Sequence, residues 1–366
     1  MRFLGVKLQA FRNVSFADLN LEQERIFFEG DNAQGKSNLM EALGFITALR
    51  SFRSKHQKLL LKEGDSEAQI AYTLEHERLG ETLVRIVLKP DLKEIYIDEN
   101  KVERFSDFVG LFPTVVFCTQ DMQLLRGTPS LRRRFFDLTL SAMDAEYLQV
   151  LQSYFRALHS RNRLLKENAG DVRSLAAFER VLASSACLLI ERRKAEVDTL
   201  ANYLIEAYAS MAGKDEALAF TYQADLALST EAEFVEFWER TRQRDQLTKV
   251  TQRGPHRDDV LFKINGKAVQ DYASEGQQRS VAIALKLGQV AYFREKSGVA
   301  PVVLADDILG ELDGSRRKQF WAGLDEDLQV IATGTAFPET IASARDAWSR
   351  FCVTDGSFSL LESLVV

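Results

Sequence analysis

The sequence predicts an α/β protein with a nucleotide-binding loop, a mixed sheet, an antiparallel β subdomain and a helical lobe. Residues 30–37 fit the phosphate-binding pattern G-x-x-x-x-G-K-[ST] at every specified position. A later apolar run ends in Asp306-Asp307, which is typical of a buried parallel strand that carries carboxylates at its C-terminal end. Between Pro129 and Pro255 the chain has no proline and is rich in helix-forming residues, which predicts the helical lobe.

Length and composition limit the classes of protein to consider. The 366 residues exceed the usual size of one hydrophobic core, so we expect two lobes. An apolar content of 46% with 27% charged residues is typical of a soluble globular protein, and no apolar run is long enough to span a membrane. Charge near the N-terminus argues against a secretory signal, so we expect a cytoplasmic protein without a membrane partner. The net charge of −6 argues against a surface covered by nucleic acid but leaves a local basic face open.

The phosphate loop has the sequence context that its motif requires, because a strand-like run at 25–29 precedes it and a helical pattern at 38–46 follows it. Glycine lets backbone N–H groups turn inward around a β-phosphate, and the helix N-terminus adds its positive end. Lys36 is predicted to reach the β and γ oxygens of ATP and Ser37 to ligate Mg²⁺. The predicted nucleotide-binding residues of the loop are Gly30, Asp31, Asn32, Ala33, Gln34, Gly35, Lys36, Ser37 and Asn38.

The order of patterns along the chain divides it into two lobes. Strand-like runs at 1–28 and 68–118 predict the antiparallel β region. We assign residues 1–118 and 296–366 to an ATPase lobe and residues 119–295 to a mostly helical lobe. Arg12 precedes the phosphate loop in sequence, and it either reaches a phosphate oxygen or is a solvated turn residue.

Basic residues occur in clusters that could contact a polyanion. One cluster lies in a polar stretch after the phosphate-loop helix, and another lies at the start of the helical lobe. A charge cluster of this kind is either a solvated face or a surface for DNA phosphates, and the sequence leaves both readings open. The candidate DNA contacts are Arg50, Arg53, Lys55, Lys58, Arg132, Arg133 and Arg134.

The adjacent carboxylates Asp306 and Asp307 are costly at a strand end unless a cation or a proton compensates them. Beside a phosphate loop, Asp306 would hold Mg²⁺ through its coordinated waters, and Asp307 would orient the attacking water or accept its proton. Another apolar strand, at 328–332, is followed by Thr333 and Thr335, and one of these threonines would sense the γ-phosphate. A plain surface loop at the strand end is the alternative reading.

Ser274 and Gln277 have the spacing of a capping box at the head of a helix that we predict from about 275 to 295. The four residues Ser274, Glu275, Gly276 and Gln277 resemble the signature motif S-x-G-Q of the ABC-type ATPases. In that family the motif binds the γ-phosphate held by the phosphate loop of the opposite subunit. The resemblance implies the same trans contact here, and the spacing of Asp313 resembles that of the D-loop.

The resemblance extends over the whole chain and becomes specific to the RecF family, which is related to the heads of SMC proteins. Gln120, at the end of a predicted strand, has the position of the Q-loop glutamine, which in such ATPases contacts the metal or the water. The stretches that carry the RecF resemblance are residues 11–13, 128–137, 161–166, 254–259, 274–280 and 306–313.

The resemblance implies a DNA-repair ATPase with the fold of an ABC-type head. Such a protein would bind ATP and Mg²⁺, dimerise head to tail around two ATP molecules, and clamp DNA until slow, DNA-stimulated hydrolysis releases it. By analogy with the family it would act at gapped DNA with RecR and RecO and help RecA to displace single-strand-binding protein. Two alternatives stay open at this stage: a nucleotide-binding subunit of another ABC-type assembly, and a P-loop kinase in which residues 274–277 only cap a helix.

Overall fold

A computed structural model describes residues 1–54, 56–167, 170–212, 215–310, 312, 314–338 and 348–361. The strands are β1 (Arg2–Phe11), β2 (Val14–Asn20), β3 (Arg25–Glu29), β4 (Ala68–His76), β5 (Gly80–Leu88), β6 (Lys93–Ile97), β7 (Asn100–Lys101), β8 (Thr114–Cys118), β9 (Leu218–Gln223), β10 (Asp259–Ile264), β11 (Lys267–Ala268), β12 (Val302–Asp306), β13 (Val330–Gly334), β14 (Ser349–Thr354) and β15 (Ser357–Leu361). The α-helices are α1 (Lys36–Ala48), α2 (Met122–Arg126), α3 (Pro129–Met143), α4 (Ala145–Glu167), α5 (Val172–Met211), α6 (Glu231–Thr248), α7 (Val269–Tyr272), α8 (Glu275–Ser297) and α9 (Gly314–Ala322). Short 3-10 turns lie at Gln57–Leu60, Phe105–Asp107, Thr119–Asp121 and Pro255–Arg257.

The first half of the chain forms the predicted antiparallel β region. Its strand order is β2-β1-β4-β5-β6-β7, and every neighbouring pair is antiparallel. Side chains along β4 alternate between buried and partly exposed, as expected for a sheet with one face on a core. The N-terminal hairpin is therefore part of a six-stranded sheet.

The second large sheet is mixed and has the order β15-β14-β3-β13-β12-β8. All its neighbouring pairs are parallel except β14 and β15, which form an antiparallel hairpin. The strands β3, β13, β12 and β8 therefore end at one edge of the sheet. Ligands of open α/β sheets bind at that edge, so the topology places the phosphate loop next to the ends of β12 and β13.

Two hydrophobic cores lie on the two faces of this parallel sheet. Phe27, Val303 and Ala332 belong to the core shared with the helical lobe, whereas Ile26 and Leu304 belong to the core shared with the antiparallel sheet. Alternate residues of each strand thus face opposite cores, and this arrangement explains the continuous apolar runs of β3, β12 and β13. The division into two lobes has its physical basis in these cores, while the exact boundaries stay a prediction.

Helix α1 runs from the phosphate loop across β8 and β12. Gly44 permits this close approach, because a Cβ at that position would lie 2.8 Å from the Val116 side chain. The helix begins at Lys36, directly after Gly35, and ends where Leu49 adopts a left-handed conformation. The basic stretch at 50–58 therefore starts at the end of α1 opposite to the phosphate loop.

The helical lobe contains long helices that pack around α5, together with a small sheet of order β11-β10-β9. Arg161 of α4 is fully buried, and its guanidinium binds Glu179 at 3.0 Å, Asp245 at 2.8 Å and the Thr251 hydroxyl at 2.7 Å. This network joins three segments that are distant in sequence. No helix in the described part of the chain is both long and apolar enough to cross a membrane.

Candidate functional site

The phosphate loop has the backbone that its motif predicts. Gly35 has φ of 114°, which lies in the region that favours glycine, and Ala33 also has a positive φ, of 67°. A side chain at Gly30 would collide with the carbonyl of Val353 on β14. The loop is therefore shaped both by its own glycines and by the neighbouring strand, and the N-terminus of α1 follows it directly.

Lys36 lies over the loop with its side chain almost entirely buried. Its Nζ donates to the carbonyl oxygens of Gly30 at 2.6 Å and of Asp31 at 2.9 Å. These carbonyls hold a cation beside the loop, where an anionic phosphate group gains most from it. The arrangement fits the predicted binding of a nucleotide phosphate.

Ser37 is joined to the ends of β12 and β13 by a hydrogen-bonded cluster. Its hydroxyl donates to Asp306 Oδ1 at 2.9 Å, and the Thr333 hydroxyl donates to the same oxygen at 3.0 Å. The Thr333 oxygen in turn accepts the backbone N–H of Asp307 at 3.0 Å. Carboxylate and hydroxyl oxygens are ligands that Mg²⁺ takes beside phosphates, so the donor set fits this ion. Ser37 and Asp306 are the residues that would hold it.

The two carboxylates of the pair differ in environment. Burial raises the pKa of Asp306, the Ser37 and Thr333 hydroxyls oppose this rise, and the nearby charge of Asp307 adds to it. Asp307 is less buried and has φ of 55°, an uncommon conformation for a residue other than glycine. A strained residue next to a buried carboxylate at a strand end is typical of a functional site.

The Asp306→Asn variant is expected to have a higher free energy of unfolding than the wild type at pH 7 in the absence of nucleotide. Asparagine keeps Oδ1 as the acceptor for Ser37 and Thr333 but removes the desolvated charge. Because the pKa of Asp306 is raised on folding, the ionised carboxylate destabilises the fold above that pKa. The gain should therefore disappear as the pH falls and Asp306 becomes protonated. Urea unfolding across pH 4–8 measures this, and a destabilised Asp306→Asn protein at pH 7 would contradict it.

Arg12 is not a solvated turn residue. Its guanidinium binds Glu41 of α1 through two hydrogen bonds, of 2.7 and 2.8 Å, and Glu41 is fully buried. Ser51 and Arg53 also contact the Glu41 carboxylate. The segment before the phosphate loop is thus tied to the helix after it, and a nucleotide contact of Arg12 stays a prediction.

Further residues near the loop were not predicted from the sequence. Asn13 accepts a hydrogen bond from Asn38 at 2.7 Å. The turn between β14 and β15 also reaches the loop, because the N–H of Asp355 donates to the Gln34 side chain at 2.7 Å and the N–H of Gly356 to its carbonyl at 2.8 Å. These partners are distant from the loop in sequence, so local patterns do not reveal them.

The predicted γ-phosphate residues lie at the same edge of the sheet. Gln120 is exposed just beyond β8, whose last residue, Cys118, is paired with Asp306 of β12. Thr333 is buried and bonded to Asp306, whereas Thr335 is exposed. The structure thus brings Gln120 and Thr333 to the same edge as Asp306 and Asp307. Of the two threonines, Thr333 is the better placed to act beside a γ-phosphate, because it is bonded to Asp306.

The signature residues form the predicted capping box at the start of α8. The N–H of Ser274 donates to Gln277 Oε1 at 2.9 Å, and the N–H of Gln277 donates to the Ser274 hydroxyl at 3.2 Å. Ser274 and Glu275 are exposed, and the Arg316 guanidinium lies against Gly276. Within the described residues, no hydrogen bond or ion pair joins the signature residues to the phosphate loop. Asp313, the predicted D-loop residue, lies outside the described residues.

The predicted DNA contacts separate into two groups. Arg50, Arg53 and Lys58 are exposed, while Lys55 lies outside the described residues. Arg133 and Arg134 are half-buried and donate to backbone carbonyls, Arg133 to that of Asp258 and Arg134 to that of Ser51 at 3.1 Å.

The prediction of Arg132 as a DNA contact is wrong. Its side chain is 5% exposed, and its guanidinium binds both oxygens of Asp259, at 2.7 and 2.8 Å. A cation that is buried and paired in this way is not available to a DNA phosphate. The neighbouring Arg193 and Asp258 form a similar buried pair at 2.8 Å, so part of the 254–259 stretch holds the helical lobe together.

The Arg132→Gln variant is expected to lower the free energy of unfolding by about 2 kcal/mol, because it leaves the Asp259 carboxylate without its ion pair. The folded fraction of the Arg132→Gln protein should bind DNA with nearly the affinity of the wild type. Chemical unfolding and a DNA titration measure the two effects on the same sample. A stable variant that has lost DNA binding would restore Arg132 as a contact residue.

Sequence comparison places these motifs in a known family. A sequence model of the RecF/RecN/SMC N-terminal domain matches residues 4–354. The chain is 31% identical over 357 residues to the DNA replication and repair protein RecF of Lachnospira eligens, covering 96% of this chain and 97% of that protein. It is 33% identical over 365 residues to the RecF of Thermosynechococcus vestitus, covering 97% and 96% of the two chains.

Solved structures agree with the sequence comparison. The structure of the recombination mediator protein RecF bound to ATP, described as part of the RecFOR pathway, superposes with a TM-score of 0.89 at 27% identity, over 98% of this chain and 97% of the other. An Smc head domain of Pyrococcus furiosus superposes with a TM-score of 0.54 at 15% identity, over 99% and 96% of the two chains, and shows the likeness of fold alone. The fold is thus that of an ABC-type ATPase head, and the chain belongs to the RecF family of DNA replication and repair proteins.

Proposed function

We propose that the chain is an ATP-dependent DNA clamp for recombinational repair, formed when two copies dimerise head to tail around two ATP molecules. The observation that carries this proposal is the separation of two half-sites in one chain. The phosphate loop is bonded to the ends of β12 and β13, whereas the signature residues bond among themselves and to Glu216 of the helical lobe. A second copy of the chain can bring a signature helix to the phosphate loop of the first.

The ATP half-site is assigned to residues of the phosphate loop and the adjoining strand ends. Lys36 binds the β and γ oxygens, Ser37 and Asp306 hold Mg²⁺, and Thr333 fixes the orientation of Asp306 through their hydrogen bond. Bound Mg²⁺ supplies charge neutralisation at the phosphates. Asp307 accepts a proton from the attacking water or orients that water, and Gln120 contacts the metal or the water from the end of β8.

The other half-site is assigned to Ser274, Glu275, Gly276 and Gln277 at the start of α8, together with Asp313 of the predicted D-loop. The free N–H groups and the positive end of this helix favour an anion, which in the dimer is the γ-phosphate bound to the partner copy. This contact exists with ATP and is lost with ADP. Nucleotide state therefore shifts the equilibrium between monomer and dimer, and ATP acts as a switch.

Membership of the RecF family supports ATPase activity, and we propose that the activity is weak and stimulated by DNA. A clamp that hydrolysed ATP quickly would open before it had acted. DNA that bridges both copies would stabilise the closed dimer, in which the site is complete, so it would raise the rate.

For the DNA surface we propose the exposed cations Arg50, Arg53 and Lys58, which lie after the C-terminal end of α1. Lys58 makes no ion pair with an acidic residue in the described part of the chain, whereas Arg53 donates to the Asn38 side chain at 2.8 Å, beside the phosphate loop, and reaches Glu41 at 3.5 Å. Exposed cations of this kind contact backbone phosphates without reading sequence. The preference for gapped DNA would then come from partners.

The partners that we propose are RecR and RecO, because a similar protein is described within the RecFOR pathway. In this pathway the clamp would mark gapped DNA, so that RecA displaces single-strand-binding protein there. We expect the protein to act in the cytoplasm, where bacterial chromosomal DNA lies.

DNA binding provides the test of this function. We expect the protein to bind gapped and duplex DNA with a slowly hydrolysed ATP analogue, and at least tenfold more weakly with ADP or without nucleotide. The double variant Arg50→Glu with Lys58→Glu is expected to weaken binding by about tenfold or more and to reduce the slope of affinity against salt concentration. Fluorescence anisotropy at several salt concentrations measures both effects.

A matched control reverses two charges elsewhere. Lys7 and Lys101 are exposed on the antiparallel sheet, and each already has an acidic partner. The Lys7→Glu and Lys101→Glu pair should leave DNA affinity within about threefold of the wild type. Binding that does not depend on nucleotide would contradict the clamp, and equal losses in both double variants would contradict the proposed surface.

A further inference from the structure

A cavity lies away from the phosphate loop, between the C-terminal end of α1 and the helices α3 and α4. Its volume is about 700 Å³, which is in the range of small-molecule sites. Helix α1 has thirteen residues and is therefore about 20 Å long, so its two ends hold separate sites. The helical lobe contributes four apolar side chains to the lining, Leu138, Leu148, Leu151 and Phe155, beside polar and charged ones.

Cations gather at one end of this cavity. Arg50, Lys93 and Arg134 line both the large cavity and an adjoining one of about 300 Å³, so they lie at the junction of the two, and Arg133 lines the large cavity. None of the four makes an ion pair with an acidic residue within the described residues. Asp137 also lines the cavity, but its carboxylate is bonded to Arg193 at 2.9 Å and to the Tyr147 hydroxyl at 2.6 Å.

Lys93 and Arg134 make no ion pair with an acidic residue in the described part of the chain, and partial burial makes their charges costly. Burial and, after it, the charge of the nearby Arg50 together lower the pKa of Lys93 to about 8. Burial and the charge of Arg50 also lower the pKa of Arg134. The Lys93 ammonium is held between the Phe45 and Phe105 rings, at 5.5 and 5.8 Å from their centres, and donates to the carbonyl of Leu49. The cluster therefore lacks an anion.

A neutral polar group at the cavity also lacks a partner. Ser141 lies on the face of α3 that lines the cavity, and its residue is 8% exposed. Its hydroxyl has no hydrogen-bond partner within the described structure. A buried hydroxyl usually has a partner, so an unpartnered one beside a cavity points to a ligand that supplies it.

We propose that this cavity binds a small organic anion, which has a phosphate, sulfonate or carboxylate head beside Lys93, Arg50 and Arg134 and an apolar body against α3 and α4. The apolar side chains of α3 and α4 favour an organic body over a fully hydrated ion, and the partly buried cations favour an anion over a neutral ligand. DNA is the less suitable occupant, because DNA phosphates need exposed cations, whereas Lys93 and Arg134 are only partly exposed. The site shares Arg50 with the proposed DNA surface, whereas Lys93 lies outside that surface, and binding of a small anion here does not depend on the clamp function.

Two fluorescent probes with the same apolar body test the proposal. The probes are 8-anilinonaphthalene-1-sulfonate, which is anionic, and N-phenyl-1-naphthylamine, which is neutral. We expect saturable binding of the anionic probe with one site per chain and about tenfold tighter than that of the neutral probe. The Lys93→Met variant should weaken the anionic probe by about tenfold and leave the neutral probe within about twofold. Filling the cavity with Ser141→Leu should weaken both.

The control is Lys89→Met, which removes a positive charge near the start of β6 but outside the cavity. Its probe affinities should equal those of the wild type. Lys93→Met should melt at or above the wild-type temperature, since it removes a desolvated charge. Equal loss of both probes in Lys93→Met, or no saturable site, would overturn the proposal. A Lys93→Met protein whose DNA affinity falls together with its affinity for the anionic probe would also overturn the proposal and assign the cavity to the DNA surface.

The pH dependence of probe binding shows whether the charge of Lys93 binds the anion or whether Lys93 only supports the shape of the cavity. Affinity for the anionic probe should fall between pH 7 and 9, as Lys93 loses its proton with a pKa of about 8, and should be flat in Lys93→Met. His256 stays neutral in this range, because burial lowers its pKa to about 4. A flat wild-type profile would contradict a head group beside Lys93. The ionisable groups that face Lys93 across the two cavities are Arg50, His56, Arg133, Arg134, Asp137, His159 and His256.

Discussion

Replacing Asp307 by asparagine is expected to slow ATP hydrolysis by about 100- to 1,000-fold while ATP affinity stays within about threefold. Asparagine has the size of aspartate and tolerates the positive φ of this position, but it cannot accept a proton. The backbone N–H that Asp307 donates to Thr333 is unchanged by the substitution. Single-turnover hydrolysis measured together with nucleotide binding separates the chemical step from the affinity.

The same variant should also prolong the life of the ATP dimer, because hydrolysis is the step that opens it. The Asp327→Asn protein is a suitable control, since Asp327 is exposed and paired with Arg294 outside the site. It should hydrolyse ATP as the wild type does. Normal hydrolysis by Asp307→Asn would show that the assigned role of this carboxylate is wrong.

Replacing Lys36 by alanine is expected to weaken ATP binding by about 100-fold or more, because the site loses its buried cation for the β and γ oxygens. The Lys36 ammonium also binds the Gly30 and Asp31 carbonyls, so the loop itself can change. Titration with a fluorescent ATP analogue measures the affinity, and the melting temperature shows whether the fold is kept.

The Lys267→Ala variant provides the matched control for this loss of charge, because Lys267 is exposed in the small sheet of the helical lobe. Its ATP affinity should equal that of the wild type. A folded Lys36→Ala protein that bound ATP with unchanged affinity would refute the assignment of the phosphate loop as the nucleotide site.

Features set by neighbouring residues could be predicted from the sequence. The phosphate loop, the capping box at Ser274 and Gln277, and the carboxylates at the end of β12 each depend on a short motif with a fixed local geometry. The structure has all three as predicted. The motifs that carry the RecF resemblance are spread along the whole chain. The family model and the curated relatives confirm that resemblance.

Features that depend on distant partners could not be predicted in this way. Arg132 looked like part of a basic surface because its neighbours are also cations, but its partner Asp259 is 127 positions away. The pairing of Arg12 with Glu41 and the contact of Gln34 with the turn at Asp355 also join residues that are distant in sequence. A charge pattern in the sequence shows how many cations a segment has. Whether each cation is exposed to solvent depends on its burial and on its ion-pair partners in the fold.

The central claim is that ATP brings two copies of the chain together, and sedimentation velocity tests it most directly. The Ser274→Arg variant should block the dimer, while Thr230→Arg, which disrupts the matching capping box of α6, should not. For the wild type with Mg²⁺, we predict a species of twice the chain mass with a slowly hydrolysed ATP analogue and a monomer with ADP. A wild-type protein that stayed monomeric with the analogue, or dimerised equally with ADP, would contradict the account.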